Sequence, residues 1–156
     1  MEQELNVIQL RGSLRAVLCD AKNGRILREI NVDNVVVTTG RAWVLGQLET
    51  VNQVTSQTIS HLAIGSSTVA PVTGDAALGG EVTRAAISSF LTTGLTANPP
   101  SWQAQASFAT NLANTTLAEM GLFNSSGGGT MLGHATFASF VKATSNTFSV
   151  SYTVSG

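Results

Sequence analysis

The chain has 156 residues, enough for one domain to bury a core without disulfides or a structural metal. Charged residues make up 11% of it against roughly a quarter in an ordinary soluble domain, while 35 residues are Ser or Thr and 15 are Gly. An apolar fraction of 43% and a net charge of −1 argue against intrinsic disorder, and eight Lys/Arg against nine Asp/Glu leave no basic field for nucleic acid. The single cysteine, Cys19, excludes an internal disulfide framework and a multi-cysteine zinc site.

The opening residues, MEQELNVIQLRG, carry acidic groups where a secretion signal would carry basic ones. No stretch approaches the ~20 apolar residues of a membrane span. The reading is therefore one domain over 1–156 that acts without secretion or insertion, with residues 1–10 as an N-terminal arm.

Period-two patterning begins in Leu14–Cys19 and Arg25–Ile30, which flank Lys22-Asn23-Gly24. Asn-Gly is a strong hairpin signal because both central residues of a type I′ turn need positive φ. Asn34–Val37 reads as a further strand. Thr38 or Thr39 is then the expected N-cap of a short helix over Arg41–Leu48, whose Ala42, Leu45 and Leu48 share one face. Ile59–Ile64 reads as a strand ending at Gly65.

The segment 65–80 that follows, rich in Ser, Thr, Gly and Pro, is a long loop of the kind that serves as a contact element. Val82–Phe90 is predicted as one strand. A break at Asn98-Pro99-Pro100 precedes the alternation Trp102, Ala104, Ala106, Phe108. Leu117–Phe123, Met131–Phe137 and Phe148–Val154 complete eight or nine short strands, with Asn124–Gly129 as a turn. The pattern predicts an all-β, jelly-roll-like β-sandwich with one short helix.

Charge is distributed unevenly. Residues 1–49 hold 12 of the 17 charged residues; the rest of the chain has only Asp75, Glu81, Arg84, Glu119 and Lys142. An uncharged, hydroxyl-rich surface is weakly hydrated and suits contact with other protein, although Ser/Thr-rich faces are also common in β proteins.

No pattern of catalysis emerges. His61 and His134 fall inside predicted strands without H-x-H, H-E-x-x-H or G-x-S-x-G spacing, and read as partly buried or solvent-facing strand residues. Cys19 reads as a small buried side chain. Gly127-Gly128-Gly129-Thr130 lacks the Lys and the helix of a phosphate cradle and reads as a hairpin turn.

Glu119 interrupts an apolar strand and needs a partner. Arg84 is the expected one, through pairing with Glu119 or with a neighbouring subunit's carboxylate, and Glu81 is the third member of this structural pairing set. A catalytic Glu81/Glu119 pair lacks accompanying cleft residues. The motifs thus assign no catalytic residue, no cofactor and no metal.

Five segments together carry a resemblance: Asn34-Val35-Val36-Val37-Thr38-Thr39-Gly40, Leu62-Ala63-Ile64-Gly65, Leu78-Gly79-Gly80-Glu81-Val82-Thr83-Arg84, Ala118-Glu119-Met120-Gly121-Leu122-Phe123 and Met131-Leu132-Gly133-His134-Ala135-Thr136-Phe137. Their succession, over roughly residues 30–154, resembles that of small β-rich structural proteins of tailed bacteriophages. The resemblance implies a β-sandwich working without catalysis as a homo-oligomer, with Gly40, Gly65 and Gly121 at backbone turns and Glu81, Arg84 and Glu119 in pairing roles.

The function expected first is that of a capsid decoration, or cement, protein on the virion exterior. Its partners would be the major capsid protein and copies of itself, with a trimer slightly preferred over a dimer, and neither nucleic acid nor membrane. Arg11, Arg15, Arg25 and Arg28 are the candidate capsid contacts. A tail-fibre or baseplate component is the alternative. A carbohydrate-binding jelly roll comes third, because Trp43 and Trp102, which with Tyr152 are the candidate stacking platforms, occupy predicted core positions.

Overall fold

The computed structural model describes residues 9–47 and 58–156; residues 1–8 of the predicted arm and Leu48 of the predicted helix lie outside them. Among the described residues nine strands form one antiparallel sheet: β1 (Arg11–Asp20), β2 (Ile26–Val36), β3 (His61–Gly65), β4 (Glu81–Ala86), β5 (Ser89–Leu91), β6 (Ser101–Phe108), β7 (Thr116–Phe123), β8 (Met131–Val141) and β9 (Asn146–Ser155). Their spatial order is β4-β3-β7-β8-β2-β1-β9-β6-β5. The sheet is curled, and its two halves enclose one main core. This is the all-β, sandwich-like architecture with one short helix that the sequence predicts.

Strand β2 makes the corner. Eight of its first nine residues pair with β1, from Gly12↔Asn34 to Cys19↔Ile26 with Leu27 skipped at a register shift, and its last two, Val35 and Val36, pair with His134 and Gly133 of β8. The sequence suggested two strands here, Arg25–Ile30 and Asn34–Val37; the chain runs through both without a break because the strand only changes partner. In the turn that joins them Gly24 has the left-handed φ of +71° but Asn23 does not, so the hairpin is present without the predicted type I′ turn and closes through Gly24 N to Asp20 O at 2.8 Å.

Alternation sorts the first half of the sheet cleanly. Leu14, Ala16 and Leu18 of β1, Phe148, Val150, Tyr152 and Val154 of β9, and Ala104, Ala106 and Phe108 of β6 are buried. They meet Leu62, Ile64, Leu117, Met120, Leu122 and Phe140 from the other half. Phe108, Phe148 and Phe140 pack in sequence, with ring centroids 6.3 Å and 5.2 Å apart. Burying each such ring contributes about 1.5–3 kcal/mol. The fully buried Tyr152 hydroxyl accepts from Asn34 Nδ2, and its ionisation is pushed up by burial alone.

The opposite face of β9 and β6 is a lattice of hydroxyls and amides. Gln103 Nε2 donates to Thr153 Oγ1 at 3.1 Å, Gln105 Nε2 to Gln103 Oε1 at 3.0 Å, and Ser107 and Ser149 share a bond of 3.0 Å. The uncharged stretch of sequence thus covers a sheet face whose side chains satisfy one another.

The predicted strand Val82–Phe90 is instead two strands at opposite ends of the sheet. Between them Ile87 N donates to Ser60 O and Ser88 N to Gln105 O, each at 2.8 Å. The crossing residues tie the start of β3 to β6 and draw the two edges of the curl together, which covers strand edges that would otherwise invite pairing.

The helix α1 (Thr38–Gly46) is capped by Val37, not by Thr38 or Thr39, and no side chain caps it. The Thr39 hydroxyl donates to Met131 O at 3.2 Å, and Thr38 N to Thr73 O at 2.7 Å. Its packed face also differs from the expected one: Ala42 and Leu45 are exposed, while Gly40 is buried and Trp43 and Val44 pack on the core. A Cβ at Gly40 would overlap the Leu132 backbone. That close approach sets the helix rotation and turns positions three and four residues later towards the sheet.

Lys142 is fully buried, and no carboxylate of the described residues pairs with it. Its Nζ donates to Ala109 O at 2.8 Å and Asn114 Oδ1 at 3.0 Å, fastening the 109–115 turn to the end of β8.

Candidate functional site

The second half of the sheet has its own covered outer face. Along it lie Ala63 and Gly65 of β3, Glu119, Gly121 and Phe123 of β7, and His134 of β8, in the register Gly65↔Glu119, Ala63↔Gly121 and Gly121↔His134. The long connection 66–80 folds back over this face and buries Leu78 in a small cluster with Val37, Ala63, Phe123 and Met131.

Glu119 is completely buried and accepts four hydrogen bonds, two on each oxygen. Oε1 takes the backbone N–H of Ser67 at 3.1 Å and of Gly80 at 2.6 Å. Oε2 takes Gly79 N at 2.9 Å and His134 Nε2 at 3.1 Å. The other ring nitrogen of His134 lies 2.8 Å from Asp75 Oδ2. Both ring bonds are made at once when both nitrogens carry protons. Asp75 Oδ2 also accepts Val72 N at 2.8 Å. That amide first, then the His134 ring, holds the Asp75 carboxyl below its ordinary value.

Gly65 makes room for this arrangement. A Cβ there would overlap Glu119 Oε1 and come within 2.6 Å of Gly80 O. The interrupting glutamate of an apolar strand is therefore satisfied chiefly by main chain, with the adjoining loop wrapped round it.

Arg84 does not reach Glu119, contrary to the pairing expected from the sequence. Its Nε and Nη2 lie 2.8 Å and 2.9 Å from the two oxygens of Glu81, a bidentate pair. Nη1 donates to Ser125 O and Gly128 O, each at 2.8 Å, and the guanidinium sits 3.7 Å from the centroid of the Phe123 ring. Register explains the difference: Arg84 lies opposite Ala63 and Glu119 opposite Gly65, so a neutral loop reaches Glu119 first while Arg84 organises the 124–129 turn.

The four candidate arginines do not form one patch. Arg11 and Arg15 lie on the outer face of β1, where Arg15 Nε is 2.8 Å from Glu29 Oε1. Arg25 is at the first hairpin. Arg28 belongs to the alternate face of β2; it donates to Ala138 O at 3.0 Å and lies 5.3 Å from the Phe140 ring centroid. Pairing and opposed faces remove the concentrated positive field that a charge-led contact needs.

His134 is buried between carboxylates, and His61 is partly exposed with its Nδ1 2.8 Å from Ser60 Oγ. Cys19, expected in the core, is only partly buried at a register shift of β1. Trp43 and Trp102 are partly buried, packed against the core. With Val44, Phe90, Leu132 and Val154 they line an apolar cleft of about 660 Å³. Gln47 and Thr58 are the polar residues of this lining, the buried Trp43 Nε1 has no hydrogen-bond partner among the described residues, and Tyr152 is wholly buried away from it.

No helix among the described residues is long and apolar enough to cross a membrane. Comparison with protein families, with curated proteins and with solved structures found no match.

Proposed function

We propose that the chain is a structural protein of a tailed-bacteriophage virion, a capsid decoration protein that binds the outer shell and stabilises it through protein–protein contacts. What supports this reading is that the five segments on which the resemblance rests converge on one scaffold. Gly40 seats the helix, Gly65 and Gly79–Gly80 surround Glu119, Arg84 clasps Glu81 and the 124–129 turn, and His134 joins Asp75 to Glu119.

The ionisable members Glu81, Arg84, Glu119 and His134 are all engaged in internal ties. This use of charged groups suits a protein that holds shape under load rather than one that presents a reactive group. The hydroxyl and amide lattice on β9 and β6 suits it too, because covering an uncharged polar face whose groups already pair with one another costs less desolvation than covering charges.

The test is to incubate the purified chain with expanded, undecorated shells of the phage that encodes it. Bound copies are counted and the particles heated. Saturable binding at hundreds of copies with raised particle stability is expected. A handful of copies confined to one vertex or the tail would replace the capsid assignment with a tail or baseplate component, and no binding would overturn the shell-binding reading.

A further inference from the structure

Strand β5 is the last in the sheet order, paired with β6 on one side and, among the described residues, with no strand on the other. The crossing at Ile87 and Ser88 that draws the curl together ends where this strand begins. Its outer edge is a row of extended backbone, which is a template for a further strand.

The side chains of β5 are those of a strand with a neighbour on each side. Phe90 shares a face with Ala104, and Leu91 the opposite face with Gln103, yet Phe90 is 47% exposed and Leu91 46%. Apolar residues on both faces belong to strands covered on both faces, not to the end of a solvated sheet. The Phe90 ring lies 6.0 Å from that of Trp102 at the rim of the apolar cleft, so the exposed surface here is shared between neighbours and not scattered.

The devices that blunt a sheet edge are missing from this one. Strand β5 has no Lys, Glu or Pro, and its register Ser89↔Gln105, Phe90↔Ala104 and Leu91↔Gln103 runs without a bulge. No charged residue occurs anywhere between Arg84 and Glu119. The opposite terminal strand, β4, differs in carrying Glu81 and Arg84.

The absence of charge bears on what covers the edge. A two-fold contact sets a surface against itself, so every charge on it meets its like. Strand β1, with Arg11 and Arg15, would oppose arginines; β5 opposes only uncharged side chains. Antiparallel pairing of two identical edges also closes after one step, without an open filament.

We infer that β5 is a self-pairing edge through which two copies of this chain join antiparallel about a two-fold axis. Phe90 then lies opposite Phe90 of the partner subunit, the register in which all three residues of the strand are paired. The two Phe90 rings sit side by side between the two Trp102 rings, and the sheet continues from one copy into the other. The inference concerns the chain in solution and does not rest on the shell-binding reading.

The experiment is sedimentation velocity of the full-length chain up to about 200 µM. A contact smaller than a standard interface predicts a dimer with a Kd on the order of 10 µM. Leu91→Lys puts a charge on the exposed edge and should weaken dimerisation at least about tenfold while melting as wild type does.

Phe90→Cys, in a Cys19→Ser background, tests the register. The paired Cα atoms would lie about 4.5–5.5 Å apart, within reach of a disulfide, so mild oxidation should give a covalent dimer. Val141→Cys, an exposed site on β8, should give none. A chain that stays monomeric at about 200 µM, a trimer, a dimer unweakened by Leu91→Lys, or a dimer in which Phe90→Cys does not cross-link would each overturn the inference.

Discussion

His134 Nε2 lies 3.1 Å from Glu119 Oε2 in a site where the carboxylate is wholly buried, and the same ring reaches Asp75 on its other side. The pair links strands β7 and β8 to the loop that covers them. Replacing Glu119 with Gln sets an amide N–H₂ among donors and leaves at least one backbone N–H without an acceptor. Breaking a buried charged network from one side costs about 3–5 kcal/mol. Thermal or urea unfolding should show a loss of that order. Hydrogen exchange should show faster exchange at Ser67, Gly79 and Gly80, with β1, β9 and β6 affected only through global stability. Unchanged protection of those three amides in Glu119→Gln would contradict the pinning role.

Two glycines make a paired test of close packing. Gly65→Ala forces a methyl against Glu119 Oε1 and the Gly80 carbonyl, and backbone cannot yield as a flexible side chain can. Overpacking of this kind costs about 1–3 kcal/mol. Gly46→Ala, at the end of α1, meets no atom of the described residues within 4 Å. Replacing a helical glycine where the space is open stabilises by about 0.4–1 kcal/mol. The two alanine variants should therefore shift the unfolding midpoint in opposite directions, and a loss from both would refute the steric explanation at Gly65.

The contrast between these positions shows what a linear reading reaches. The Asn23-Gly24 hairpin, the alternation of β1, β6 and β9, and the all-β class follow from local periodicity, and each is present in the fold. Glu119 was recognisable as a carboxylate in need of a partner. Its partners were not, because three are backbone amides and the fourth is a histidine that reads as an ordinary strand residue. Asp75 sits in a loop 59 residues before His134, and no spacing rule joins them. The rotation of α1 was missed for a similar reason: the residue that sets it is Gly40, which has no side chain to enter a hydrophobic pattern. The sheet corner in β2 depends on a change of strand partner, which periodicity does not register.

Arg84 offers a test of which charges act together. It shares two close contacts with Glu81 and no hydrogen-bond partner with Glu119. A double-mutant cycle on Arg84→Ala and Glu81→Ala should give a coupling of about 0.5–3 kcal/mol, as expected for residues in one network. The cycle on Arg84→Ala and Glu119→Gln should be additive within about 0.5 kcal/mol. Arg84→Lys should itself destabilise, because a single ammonium cannot form the forked pair, reach both turn carbonyls and stack on Phe123. Strong coupling to Glu119 with none to Glu81 would restore the pairing expected from the sequence and refute the observed one.

Two groups give stability a dependence on pH, with opposite placement on the pH axis. Asp75 is held below its ordinary value of 3.8, first by Val72 N and then by His134, so the unfolded chain takes up that proton more readily. Its contribution is present above 3.8 and is lost as pH falls through the lower folded value. Lys142 is lowered from 10.5 by burial, so the cost of its charge is full below the folded value and is relieved as pH rises between that value and 10.5. Urea unfolding across both ranges separates the two. Asp75→Asn should flatten the acid limb below about pH 4 and leave the alkaline limb intact. Lys142→Met should remove the alkaline rise and leave the acid limb as in wild type. An acid limb unaltered by Asp75→Asn would show that the bonds of Asp75 to Val72 N and His134 contribute nothing to stability.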